Sequence, residues 1–232
     1  WELDLKEAMR YLPPHISIYD LSIEPGTVFE WKQKRGELIL PQEELALEMN
    51  RLTSSILSKS GLARYEISNY ALPGHASRHN RVYWSGAGWW AFGMGATSAP
   101  WGERFARPRT RDKYFQWIME QEINGLEPSL LSKNSKVFNF DDQLIVGLRR
   151  REGVNLETLA ERWGWDQNQS DAYLQSLKLR WQKLINNDLL KHNGDRFFLS
   201  DPEGIELSNQ ILIEMLIWWD SLPASAVQPP NL

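Results

Sequence analysis

The sequence predicts a mixed α/β chain in two parts, and three patterns carry that reading. Over residues 1–130, short half-polar strands alternate with amphipathic helices. Residues 125–134, GLEPSLLSKN, read as a linker. Beyond it, residues 131–220 give three helical stretches and then two short strands joined at Asn193-Gly194, the order of a winged helix.

In chain order, residues 2–11 place Leu5, Ala8 and Met9 at helical spacing, and Pro13-Pro14 end that helix. In residues 15–21, Ile16 and Ile18 alternate with His15, Ser17 and Tyr19, as in a strand with one polar face. The simplest use of His15 and Tyr19 there is hydrogen bonding on the sheet surface. Pro25-Gly26 reverse the chain, Pro fixing φ and Gly admitting a positive one. Pro41 suits a first helical turn, Glu43 and Glu44 favour its positive end, and Leu45, Met49, Leu52 and Ile56 form one apolar stripe ended by Gly61. A strand over residues 64–67 leads to a loop through Pro73-Gly74, and residues 112–122 form a helix with Tyr114, Phe115, Trp117 and Ile118.

In the second part, Asp141-Asp142 open one helix. Asn155 caps the next with Leu156, Leu159, Ala160 and Trp163 inward, and a third carries Leu174, Leu177, Trp181 and Leu184. A last helix over residues 203–219 buries Ile205, Ile211, Leu212, Met215 and Leu216, and residues 221–232, with three prolines, read as a disordered tail.

Composition bounds the function. A net charge of −4 argues against a dedicated nucleic-acid binder, and residues 141–200 hold nine Lys/Arg against nine Asp/Glu where a DNA module should be positive. With no cysteine, the chain alone builds no disulfide, thiolate zinc site or thiolate-held iron–sulfur cluster. No apolar run reaches the roughly 18 residues needed to cross a bilayer, and WELDLKEAMR is not a signal peptide, so a cytoplasmic protein is expected.

Chemistry concentrates in residues 65–84, YEISNYALPGHASRHNRVYW, with two of the four histidines, four Tyr or Trp rings and two arginines. Its tightest knot is His79-Asn80-Arg81-Val82-Tyr83-Trp84, where an imidazole offers a ligand nitrogen and its neighbours supply ring faces and a cation. That set suits a flat, anionic, iron-bearing ligand. The same residues also suit a core in which the rings are buried and His and Asn hydrogen-bond a turn. Residues 85–91, SGAGWWA, match GxGxxA, but no apolar strand leads in and no helix follows, which excludes a dinucleotide fingerprint. Those glycines instead let backbone pass close to a ligand or a neighbouring strand. Arg104, Arg107, Arg109 and Arg111 suit carboxylates and phosphates, or pair with Glu103 and Asp112 on a solvated loop.

The HNxxYW segment does not stand alone. Before it come Pro14-His15-Ile16-Ser17-Ile18-Tyr19-Asp20-Leu21, Ile23-Glu24-Pro25-Gly26-Thr27 and Tyr65-Glu66-Ile67-Ser68-Asn69-Tyr70-Ala71; after it come Gly93-Met94-Gly95-Ala96 and Leu148-Arg149 to Gly153. This ordered set resembles the HemN/HemW family, radical S-adenosylmethionine (radical SAM) proteins related to oxygen-independent coproporphyrinogen III oxidase. The HNxxYW form is most similar to the haem-chaperone branch, HemW.

The resemblance implies that residues 1–130 are the C-terminal part of a radical SAM partial TIM-type barrel with an appended sheet, residues 15–21 being its last strand. It makes residues 131–220 a winged-helix-like HemN C-terminal domain and residues 221–232 a flexible tail. It implies haem held by His79, Asn80, Tyr83, Trp84, Arg78 and Arg81: His79 as axial iron ligand, Tyr83 and Trp84 as a wall, Arg78 or Arg81 near the propionates. It implies a [4Fe–4S] cluster and S-adenosylmethionine, bound mainly by an N-terminal half. The family's CxxxCxxC motif is missing and the sequence starts at Trp1, so we read the chain as the C-terminal portion of a longer protein. Where the family has a GxGxGAHS-like run, residues 93–98 are GMGATS, and no role of that histidine is carried over.

The implied partners are haem and haem-requiring acceptors such as respiratory-chain components, without nucleic acid. Dimerisation and peripheral membrane association stay open, as does whether the protein is an enzyme. Two other readings stand beside the chaperone. One is coproporphyrinogen III oxidase, a radical SAM decarboxylase. The other is a winged-helix regulator touching phosphates through Arg149 to Arg151, Lys178, Arg180 and Lys183.

Overall fold

A computed structural model of the chain describes residues 1–100, 104–125 and 140–228; the expected linker, apart from Gly125, lies outside them. Contacts divide the chain into two compact units, Trp1–Ser77 and Arg78–Leu232. The sequence put the boundary near residue 130. On the C-terminal side of the contact division, the helix carrying HNxxYW packs on the helix that begins at Phe140.

The first unit runs α1 (Glu2–Met9), β1 (His15–Ser17), α2 (Val28–Lys34), α3 (Glu43–Lys59), β2 (Ala63–Glu66) and β3 (Asn69–Ala71). Its sheet has the order β1-β3-β2 and both pairings are antiparallel. Leu57, Leu62 and Tyr70 form its core with Met9, Ile16, Ile18 and Leu72 packed against them. The predicted strand at residues 15–21 stops at Ser17 and pairs antiparallel with β3. The partner strand, β3, follows from a tight hairpin that the sequence reading missed: Glu66 accepts from Ser68 N and Asn69 Nδ2 and so turns the chain back. Helix α2 was also missed. It is capped by Thr27, whose side chain accepts from Glu30 N, but none of its residues is buried, so no apolar period marks it.

Helix α3 corrects the predicted stripe. Leu45 is 49% exposed, and the buried positions are Thr53 and Leu57. That face turns inward because it closes over a polar group in the sheet. One terminal nitrogen of buried Arg64 lies within hydrogen-bond reach of Asn50 Oδ1, Ser54 Oγ and Tyr70 OH, which share its two N–H groups.

The second unit runs α4 (Arg78–Trp84), β4 (Thr97–Ser98), β5 (Phe105–Ala106), α5 (Arg111–Asn124), α6 (Phe140–Leu148), β6 (Val154–Asn155), α7 (Leu156–Trp163), α8 (Gln167–Asn186), β7 (Leu190–Asn193), β8 (Arg196–Leu199), α9 (Glu203–Glu206), α10 (Ser208–Asp220) and α11 (Ala224–Val227). From α6 onward the expected elements are all present. Asn155 Oδ1 accepts from Thr158 N, Leu156, Leu159, Ala160 and Trp163 are buried, and Leu174, Leu177 and Trp181 line the inner face of α8. The reading missed β6, a two-residue strand that completes an antiparallel sheet of order β6-β8-β7. The last helix is broken at Leu207, and its buried side extends past Met215 to Trp218 and Trp219 while Leu216 faces out.

The tail is a second correction. Residues 224–227 form α11 with Ala226 fully buried, and the indole N–H groups of Trp163 and Trp165 both donate to Ala226 O, at 2.8 and 3.0 Å. Prolines suggested disorder, but two buried indole donors anchor the segment at Ala226 O.

Candidate functional site

The 65–84 stretch is divided between the units at Ser77, so its residues do two jobs. In the first unit, Tyr65 OH meets His15 Nε2 at 2.9 Å and accepts from Ser77 N at 3.3 Å, while Glu66, Asn69 and Tyr70 are spent on the hairpin and on Arg64. His15 and Tyr65 thus make the sheet hydrogen bond the sequence suggested.

In the second unit, residues 78–84 form helix α4, and helical geometry sorts the motif onto two faces. His79 and Tyr83, four apart, meet edge to face with ring centroids 4.8 Å apart. Tyr83 in turn meets Trp89 edge to face at 4.8 Å, and the Arg104 guanidinium carbon stands 5.8 Å from the Trp89 ring. The result is a chain of contacts, His79 to Tyr83 to Trp89 to Arg104, whose first member is exposed. Asn80 and Trp84, also four apart, lie on another side. The Arg149 guanidinium covers the Trp84 ring at 4.9 Å, and Trp84 Nε1 is buried with no hydrogen-bond partner.

The predicted residues are therefore not one cluster. His79 and Tyr83 come together, Trp84 is turned toward α6, and Arg78 is exposed. Arg81 donates to Glu152 Oε1 at 2.7 Å, an exposed pair of the kind contributing about 0–1 kcal/mol, which an incoming carboxylate can displace. Burial lowers the pKa of nearby Arg150, as do Arg196 and Arg81, while Glu152 works against the shift.

The sequence reading missed Trp89 and Arg149 as members. Trp89 lies among the glycines of residues 85–91, and Arg149 lies far off in sequence. The glycines do what the sequence implied: a side chain on Gly88 would sit 2.1 Å from Pro100 O, so only glycine lets Trp89 bridge to Ala99. That bridge, with Trp89 Nε1 donating to Thr97 O at 3.1 Å and Ala91 N to Ser98 Oγ at 2.9 Å, fixes the Trp89 ring against the β4–β5 hairpin.

Whether haem fits can be judged from the donors present. Among the described residues no three His, Asp or Glu side chains converge on a metal position. A single exposed imidazole does suffice for a porphyrin iron, because the macrocycle supplies the other nitrogens. Ring faces and nearby guanidinium groups match the rest of that ligand. A [4Fe–4S] cluster does not fit, since the chain has no thiolate to offer. Among the described residues no helix is long and apolar enough to cross a membrane.

No family model matches the chain. It is 39% identical over 224 residues to the heme chaperone HemW of Synechocystis, a match covering 91% of this chain and 53% of that protein. It is 30% identical over 215 residues to the heme chaperone HemW of Lactococcus lactis, covering 92% and 53%. The chain thus spans about half the length (53%) of the curated relatives it matches. Among solved structures, coproporphyrinogen III oxidase HemN from Escherichia coli, a radical SAM enzyme, superposes with a TM-score of 0.58 at 16% identity over 94% of this chain and 50% of its own. That likeness speaks to fold alone. The sequence identities establish that this chain belongs to the heme chaperone HemW family.

Proposed function

We propose that this chain is the C-terminal portion of a haem chaperone, and that α4 presents the haem. The observation carrying the reading is the exposed His79 at the head of the Tyr83, Trp89 and Arg104 contacts. His79 would hold the iron through an imidazole nitrogen. Tyr83 is the wall of the site. Trp84, covered by Arg149, holds the helix in place with Asn80 on the same side, and Arg78, with Arg81 released from Glu152, takes the propionates. An open site of this kind suits a carrier, which must give its cargo up. Bound haem supplies only the iron to be ligated; the protein binds, orients and releases it.

On the same reading, a [4Fe–4S] cluster and S-adenosylmethionine belong to the other half of the protein, and residues 140–200 are a winged-helix-like module that packs or docks rather than binds DNA. Their helix, strand, helix, helix, hairpin order and neutral charge support this. The acceptors are haem-requiring proteins of the cytoplasm or membrane surface, respiratory-chain components among them.

The fold neighbour favours one other reading, the oxidase itself. The deciding experiment uses the full-length protein. Preloaded with haem, it should pass haem to an apo-haem acceptor, and with reductant and S-adenosylmethionine it should leave coproporphyrinogen III unchanged. Conversion to protoporphyrinogen IX would instead establish the oxidase.

A further inference from the structure

Arg107 does not belong to the His79 contacts. It follows β5 while Arg104 precedes it, and an odd separation along extended chain turns side chains to opposite sides. Their partners agree: Arg104 lies over Trp89, whereas the Arg107 guanidinium carbon lies 5.7 Å from the Phe92 ring and 5.4 Å from the Trp117 ring. Arg107 is only 7% exposed, and its Nη1 is buried with no hydrogen-bond partner. Among the described residues no carboxylate lies within ion-pair distance of it. A desolvated cation with an unmet donor is unfavourable, and two ring faces offset that only in part.

The surroundings indicate what completes it. Phe92 is 85% exposed, Met94 and Trp90 next to it are exposed, and Trp117 is half-buried on α5. The position of Arg107 is fixed by its backbone N–H, which donates to Ala96 O at 2.9 Å, and by Gly95 N donating to Pro108 O at 3.0 Å. A rigid guanidinium, framed by rings and bordered by open aromatic surface, matches a carboxylate carried on a flat apolar body: the fork takes the anion and the rings take the plane. We infer that Arg107, Phe92 and Trp117 form a second binding site for a planar aromatic carboxylate, separate from His79 and independent of iron.

The test uses metal-free protoporphyrin IX, which His79 cannot ligate, with its dimethyl ester and laurate as comparisons, each titrated by quenching of tryptophan fluorescence. The parent should bind the diacid at least about tenfold tighter than the ester or laurate, the order expected of one charge-assisted pair. Arg107→Met should remove that preference, and Phe92→Ala, at an exposed position, should weaken the diacid several-fold. Arg107→Met should keep the Soret shift of bound haem, which reports His79, so failure of the haem assignment and failure of this site read separately. Equal binding of diacid and ester by the parent, or laurate binding as tightly as the diacid, would overturn the inference. So would unchanged diacid affinity in Arg107→Met. Should that variant not fold, unchanged affinity in Phe92→Ala overturns it alone.

Discussion

The second unit holds two groups of aromatic side chains built from similar residues and put to opposite use. Around Phe140, the rings of Trp163, Trp165, Trp218 and Trp219 lie within 4.7 to 6.4 Å of its own, Trp219 stacked on it with planes 1° apart. All five are buried, and three of the four indoles donate outside the group, two to Ala226 O and one to Ser176 Oγ. The second group, His79, Tyr83 and Trp89, makes equally close edge contacts but ends in an exposed imidazole. Ring proximity alone therefore says nothing about role; burial and the fate of the polar atoms do.

Breaking the closed group should cost the most. Trp218→Ala is expected to lose about 3–5 kcal/mol of unfolding free energy, read from the denaturant midpoint, because a fully buried indole leaves a cavity. Ending the chain at residue 220 should cost about 1–3 kcal/mol for each indole N–H deprived of Ala226 O, where a disordered tail would cost nothing. Asn155→Ala, losing the α7 cap, should cost about 1 kcal/mol in the same assay. His79→Ala should change stability by less than about 0.5 kcal/mol, since an exposed ring has little burial to lose.

A finer contrast lies at the edge of the closed group. Burial, with Asp142 and Asp220 nearby, raises the pKa of Asp141 despite backbone hydrogen bonds that oppose the shift. A raised carboxylate binds protons more tightly when folded, so stability falls as pH climbs from the ordinary aspartate range through the raised value. Asp141→Asn should therefore raise Tm at pH 7, and the gain should vanish near pH 3, where the parent carboxyl is protonated in both states.

What the sequence made legible follows the same divide. Residues 155–199 were read nearly element by element, because Leu156, Leu159, Ala160 and Trp163, then Leu174, Leu177 and Trp181, repeat with the helix and are all buried. Helix α2, with no buried residue, gave no period to read, and the predicted α3 stripe lies beside the innermost line: Met49, Leu52 and Ile56 are half-buried, Leu45 is exposed, and Thr53 and Leu57 are buried. The candidate site was found by residue type and family resemblance, but its shape was not. Helix α4 separates neighbouring Tyr83 and Trp84 onto different faces, and the contacts to Trp89 and Arg149 depend on packing that no local pattern records.

The most direct test is a titration of haem into the protein and into His79→Ala, followed at the Soret band. The parent should show a shifted, saturable band, and the variant, folded to the same Tm, should bind at least about tenfold more weakly and give the spectrum of haem without an imidazole ligand. Equal affinity and an identical band in the two proteins would contradict the assignment of His79 as the iron ligand.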